Sequence, residues 1–315
     1  ALYLELGDHD KALHHIRAAI ANQRVLVTNH PENADYVLEL ANALSWLGST
    51  LLARRELESA VSVFSEADDY LSVLNGQERD AYVTAALCDI KLLLASSSML
   101  TGDYGVSAGQ LAEARDLYRG LIAGDLSNAL WQEGLARAHL GLGDASVARG
   151  DASSGSEDFQ AAIEILQSLV DEDPSNTTFG IRLTLAQASL ANSLSLQGSL
   201  IEARRHADTA TAMAMEWSAG ASSGITGSLR LALAWDHIGA VDQSLGDPDA
   251  ARAAWLRGFS ILEDVQQETL RQQAMRVRLL HRLGRADEAV SLEKEVTASG
   301  LKYSGFLPVP GEMLE

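Results

Sequence analysis

The side chains able to do chemistry are scattered through this sequence. Eight histidines are present, and a metal site would need ligands at fixed spacing, such as a His-Glu-x-x-His helix or clustered cysteines, neither of which occurs. His14 and His15 are adjacent, so a helix points them in different directions, and His30 precedes Pro31 in a turn. The carboxylate pairs Asp68–Asp69 and Glu172–Asp173 stand at expected helix ends, where solvated acids are far commoner than acid-base dyads. Gly141-Leu142-Gly143-Asp144 superficially suggests a phosphate loop, but no strand precedes it and no Gly-Lys-Ser/Thr follows. Cys88 is the only cysteine and sits in the apolar run from Ala85 to Leu94, so a buried, inert thiol is expected and no internal disulfide can form. Asn176-Thr177-Thr178 matches a glycosylation acceptor, a three-residue pattern without weight outside a secretory context. These residues point away from an enzyme, and no metal or cofactor is expected.

The elements that carry these side chains repeat. Gly102, Gly150, Gly198 and Gly246 are spaced 48 residues apart, each between two alanine-rich segments of helical apolar period, and a fixed spacing of that size marks an array of supersecondary units. Seven residues before each glycine stands a small residue, Ala95, Gly143, Ala191 and Gly239, preceded by Leu94, Leu142, Leu190 and Ile238. One period before Gly102 the glycine is replaced by Arg54, with Trp46 and Leu47 at the two helix positions and Gly48 after them. Beyond the turn come Ala12, Ala203, Ala251 and Ala289, then bulky Ile16, Phe159 and Trp255, then Ala19, Ala162, Ala210 and Gly258. Small residues let two helix backbones approach, and the bulky residue one turn on fills the space between pairs.

The spacing predicts a lone helix at 10–28, then pairs at 34–53 and 57–74, 78–100 and 109–123, 128–149 and 154–172, 177–197 and 200–218, 227–245 and 249–266, and 268–283 and 285–298. Asp10, Ser127, Ser153 and Asp249 read as cap or first-turn residues. Residues 102–114 read as a lengthened turn, 218–227 as the longest loop, and the 302–315 stretch leaves the helical pattern. One domain is expected over 1–300, followed by a tail, 301–315.

With its leucine–small pair, turn glycine, alanine, bulky residue, small residue and closing proline, the pattern resembles the tetratricopeptide repeat. The segments nearest to it are Leu140–Asp151, Ser244–Trp255 and the turns at Asn29 and Asp171. The resemblance implies an all-α, superhelical solenoid of antiparallel helix hairpins. The family period is about 34 residues, so a 48-residue unit has each helix extended by a turn or two. Gly155 departs from the family's alanine, and the last unit, from Gly246 to Gly284, spans only 38 residues.

The resemblance also implies that the first helices of successive pairs line a partner-binding groove. Ten, six and three residues before the turn glycines stand Leu92, Leu140, Ala188 and Asp236; Ser96, Asp144, Asn192 and Ala240; and Met99, Val147, Ser195 and Gln243. Asp144, Asn192, Asp236, His237 and Gln243 are the polar candidates for contact with a protein or extended peptide. The apolar end, Leu44, Leu51, Leu52, Leu92 and Met99, reads equally as a face packed on further helices or on a second copy.

A net charge of −19 with 43 acidic and 24 basic residues argues against nucleic acid and leaves a basic or apolar partner peptide. No uninterrupted apolar run reaches about 18 residues, so no membrane insertion is expected. The opening residues, ALYLELGDHDKA, read as half a helix and the start of another, which suggests a piece of a longer bacterial protein with an upstream domain. A soluble segment is expected, with the cytoplasm favoured over an extracytoplasmic location. The functional expectation is a non-catalytic protein- or peptide-binding scaffold; the alternative is a sensing domain that controls an upstream kinase, winged-helix regulator or NTPase.

Overall fold

The structure is a computed structural model that describes residues 9–77, 80–219, 224–263, 265 and 269–302. Among them are thirteen helices and no strand: α1 His9–Asn29, α2 Ala34–Ala53, α3 Leu57–Gln77, α4 Ala81–Leu100, α5 Tyr104–Gly124, α6 Ala129–Ala148, α7 Ala152–Glu172, α8 Thr177–Leu196, α9 Leu200–Ala219, α10 Gly224–Ser244, α11 Pro248–Glu263, α12 Leu270–Arg282 and α13 Ala286–Ala298. This is the expected all-α helical repeat. Contacts divide the chain into two compact units, residues 1–134 with 299–301, and residues 135–298 with 302–315.

Among the described residues, five hairpin turns close on a glycine in the same way. Gly102, Gly150, Gly198, Gly246 and Gly284 take φ of +71° to +85°, a left-handed conformation that costs glycine nothing and ends a helix. At Gly150 the glycine amide donates to the Val147 carbonyl at 2.9 Å and the Asp151 amide to the Ser146 carbonyl at 2.9 Å, a pairing that recurs at Gly102, Gly198, Gly246 and Gly284. The aspartate that follows then opens the next helix, as Asp103, Asp151 and Asp247 accept from the amides of Val106, Ser154 and Ala250.

That geometry corrects the expected register at two turns. In the hairpin of α2 and α3 the left-handed residue is Arg55, φ 65°, and not Arg54, so this unit is 47 residues long and Leu47–Gly48 is its leucine–small pair. Residues 102–114 are not a lengthened turn: Asp103 caps α5 from its first residues, and Gly105 and Gly109 lie inside the helix. Helices α9 and α10 both reach into the stretch expected as a loop, whose residues 220–223 lie outside the described residues, as does the tail from 303.

The small–bulky packing is literal. A Cβ on Gly48 or Gly143 would stand 2.5 Å from the ring of Phe64 or Phe159, sixteen residues on, and Gly239 faces Trp255 in the same way. The glycines let a ring lie flat against a helix backbone, and Phe64 and Phe159 are buried by it. In residues 1–134 the core formed this way also takes in Leu44 and Leu51, with Leu52 packed beside it, and Leu92 and Met99 are buried as well. The apolar end of the expected groove is therefore interior to its own unit.

Helix α4 is long and apolar enough, by length and composition, to cross a membrane, and 67% of that stretch is buried inside the protein. Cys88 lies within it, fully buried, with its thiol pushed up to about 12, chiefly by burial. A thiol-specific chromogenic reagent should label the native protein more than about a hundredfold more slowly than free cysteine, and label one thiol once denatured; prompt labelling in native buffer would contradict this packing.

Candidate partner-binding face

The face that the first helices turn away from their partners follows from helical period. The residue seven before each turn glycine packs on the second helix, so the residue ten before it, one turn away, shares that face. Accordingly Leu92, Leu140, Ala188 and Asp236 are all buried, and the outward reading of that position is corrected. The residue six before the glycine is rotated off the contact, and Ser96, Asp144, Asn192 and Ala240 are each half-exposed.

Asp144 and Asn192 keep part of their residue surface exposed. Among the described residues neither Asp144 nor Asn192 has a side-chain hydrogen bond or ion pair, though they occupy the same position in consecutive repeats, and Gln243 is exposed. Burial pushes the Asp144 carboxyl up to about 7, so it is partly protonated at neutral pH. His237 is half-buried, its Nδ1 3.2 Å from Ser189 Oγ, and pushed down to about 4 chiefly by burial; it is a neutral ring tying α10 to α8.

Asp236 is different in kind. It is fully buried; Arg278 Nε of α12 donates to its Oδ2 at 2.7 Å, and Arg282 Nε lies 3.4 Å from its Oδ1. Trp255 Nε1 donates to its backbone carbonyl at 3.3 Å, and the Arg282 guanidinium stacks 5.4 Å from the Trp255 ring centroid. This side chain joins α10 to α12 and has no surface to offer a partner.

The sequence reading also missed a set of polar rungs. Eleven residues before the turn glycine and eight after it, Lys91 donates to Gln110 at 3.1 Å, His139 pairs with Asp158 at 2.7 Å and Gln187 with His206 at 2.7 Å. Lys91 is also held by Asp68 at 2.9 Å and Glu113 at 2.6 Å. The signal was a polar residue recurring at one repeat position inside an apolar helix, with a polar residue 19 places on. Buried polar groups require such partners, and these rungs fix each hairpin rather than form a reactive site. Among the described residues no group of three or more His, Cys, Asp or Glu side chains could hold a metal ion.

Residues 2–70 match the sequence model of the tetratricopeptide repeat. No curated protein matches the chain. Among solved structures it is similar to BtubC from P. vanneervenii, at 19% identity and a TM-score of 0.52, over 80% of this chain and 90% of that one. It is also similar to a tetratricopeptide repeat protein from Parabacteroides merdae ATCC 43184, at 14% identity and a TM-score of 0.45 over 95% and 90%. NprR in complex with its cognate peptide NprX aligns at 12% identity and a TM-score of 0.45 over 95% and 78%. With five hairpins closed on left-handed glycines and most of its repeats 47 or 48 residues long, the chain is an all-α helical repeat protein whose residues 2–70 match the tetratricopeptide repeat and whose fold is similar to that of tetratricopeptide repeat structures.

Proposed function

We propose that this chain is a non-catalytic scaffold that holds a protein segment or extended peptide against the outward stripe of its first helices in residues 135–298. The observation that carries the reading is the pair Asp144 and Asn192: half-exposed polar residues at one repeat position whose side chains make no hydrogen bond or ion pair among the described residues, while Lys91, His139 and Gln187 on the inner faces are each paired across their hairpin. An amide can donate to and accept from the backbone of an extended segment, and Gln243 offers the same chemistry in the next repeat, three residues before its turn glycine. Asp144 suits a cationic side chain. Because its carboxyl sits near 7, a bound lysine or arginine draws the proton off, and affinity for a basic peptide rises as pH increases through that value.

Selection of random peptides on the immobilised protein, followed by fluorescence anisotropy on the enriched sequences, tests this. Asn192→Ala or Gln243→Ala should weaken the selected peptides roughly tenfold, equivalent to about 1.4 kcal/mol, with Gln160→Ala on α7 as the exposed control. Asp144→Asn should flatten the pH dependence between 6 and 8. Failure to enrich any peptide, or enriched peptides that bind all variants alike, removes the reading.

A further inference from the structure

Residues 1–134 contain an open cleft of about 910 Å³, built from different positions than the stripe just described and independent of it. Its apolar lining comes from Leu87 of α4, Leu117 and Leu121 of α5, and Trp131 of α6. Its charged lining is three carboxylates, Glu113, Asp116 and Asp125, against one cation, Lys91. Lys91 is already neutralised between Asp68 and Glu113. Asp116 is offset in part by Arg115 and Arg119 of its own helix, at 2.9 and 3.7 Å, neither of which lines the cleft.

The surroundings point to an occupant. Among the described residues of this unit, the four most exposed large apolar side chains are Val73, Tyr82, Leu126 and Leu130, at 65%, 82%, 75% and 77%. Each is the immediate chain neighbour of a residue lining the cleft, Ser72, Ala81, Asp125 and Trp131. Scattered exposed leucines are ordinary, whereas four exposed apolar residues each next in sequence to a lining residue add apolar surface to the segments that form the cleft. We propose that this cleft is a second docking site, which takes a basic amphipathic segment of a partner protein: large apolar side chains enter the cleft and flanking lysines or arginines meet Glu113, Asp116 and Asp125. Charge selects this occupant over a second copy and over the chain's own C-terminal sequence. A second copy brings its own −19, and the chain's C-terminal sequence, FLPVPGEMLE, carries two glutamates and no cation.

Gly120 provides a test that leaves charge untouched. It lines the cleft, lies in mid-helix, and a Cβ there would meet nothing within 4 Å, so Gly120→Leu improves helix propensity while filling the space a guest needs. Gly109, on the same helix, is equally open and outside the lining, so Gly109→Leu is the matched control. The probe is a fluorescein-labelled, designed 18-residue leucine/lysine peptide of helical amphipathic spacing, titrated by anisotropy at about 0.15 M salt, where long-range attraction between exposed charges is screened. Binding at least tenfold weaker to Gly120→Leu than to the parent or Gly109→Leu, equal binding to Asn192→Ala, and no binding of a leucine/glutamate counterpart are expected. Equal binding to all variants would reduce the effect to general attraction by an acidic surface and overturn the proposal, as would equal affinity for the glutamate peptide or no binding of the lysine peptide.

Discussion

Asp236→Ala should lower the free energy of unfolding by about 3–5 kcal/mol, the range for removing one partner of a buried ion pair. The carboxylate has no solvent access, and Arg278 and Arg282 are themselves only 12% and 17% exposed at their side chains. Without it two guanidinium groups remain inside the protein with their main counter-charge gone. Burial alone would raise the Asp236 carboxyl, and the charges of Arg278 and Arg282 outweigh that and hold it below the ordinary carboxylate range. The sign of the pH dependence follows: a lowered native value gives stability that is present above the unfolded value of about 3.9 and is lost as pH falls through the native one. Urea unfolding at pH 7 should therefore show the full difference between parent and variant, and the gap should close on the acid side of pH 4. Replacing all three residues together, Asp236→Leu with Arg278→Met and Arg282→Met, should recover most of the loss, since an apolar set of similar volume needs no counter-charge. A loss below about 1 kcal/mol for Asp236→Ala would mean that solvent, not the arginines, satisfies the carboxylate.

The position of this cluster explains why it was illegible as structure and attractive as a site. Repeat spacing predicted the helices within a few residues, because left-handed glycines and capping aspartates are local signals that the chain writes at each turn. Asp144 and Asn192, read as outward positions, are half-exposed. Asp236 sits where Leu92, Leu140 and Ala188 sit in the other units, and the inward direction of that position could have been read from its three-residue offset to Gly239. What could not be read was its partner, because Arg278 and Arg282 come from the shortened last unit, where the period no longer predicts neighbours. The slip at Arg55 has a related cause: a one-residue deletion inside a repeat is invisible when the marker glycine is replaced, and only the pairing of Gly48 with Phe64 reveals it. The cleft in residues 1–134 was beyond the repeat reading too, since its lining mixes helix faces and turn residues that share no repeat position.

If the repeat is held by complementary volume, and not by particular residues, then Gly143→Ala should be destabilising even though alanine is the better helix former by about 1 kcal/mol. The added Cβ would lie 2.5 Å from the Phe159 ring, which is buried and hemmed in by the core, and overpacking of that kind costs about 1–3 kcal/mol. The same chain carries an alternative solution sixteen residues apart in the preceding hairpin, where Ala95 and Leu111, both buried, occupy the corresponding positions. Gly143→Ala combined with Phe159→Leu transplants that pair, and it should be more stable than the sum of the two single losses by about 1 kcal/mol or more, within the 0.5–3 kcal/mol seen for residues in contact. Additivity within about 0.5 kcal/mol would show that the helix backbones move apart to admit the methyl group. In that case the spacing between first and second helices is soft. The half-exposed stripe that begins one residue after Gly143, at Asp144, would then lose the fixed setting that a rigid partner-binding face requires.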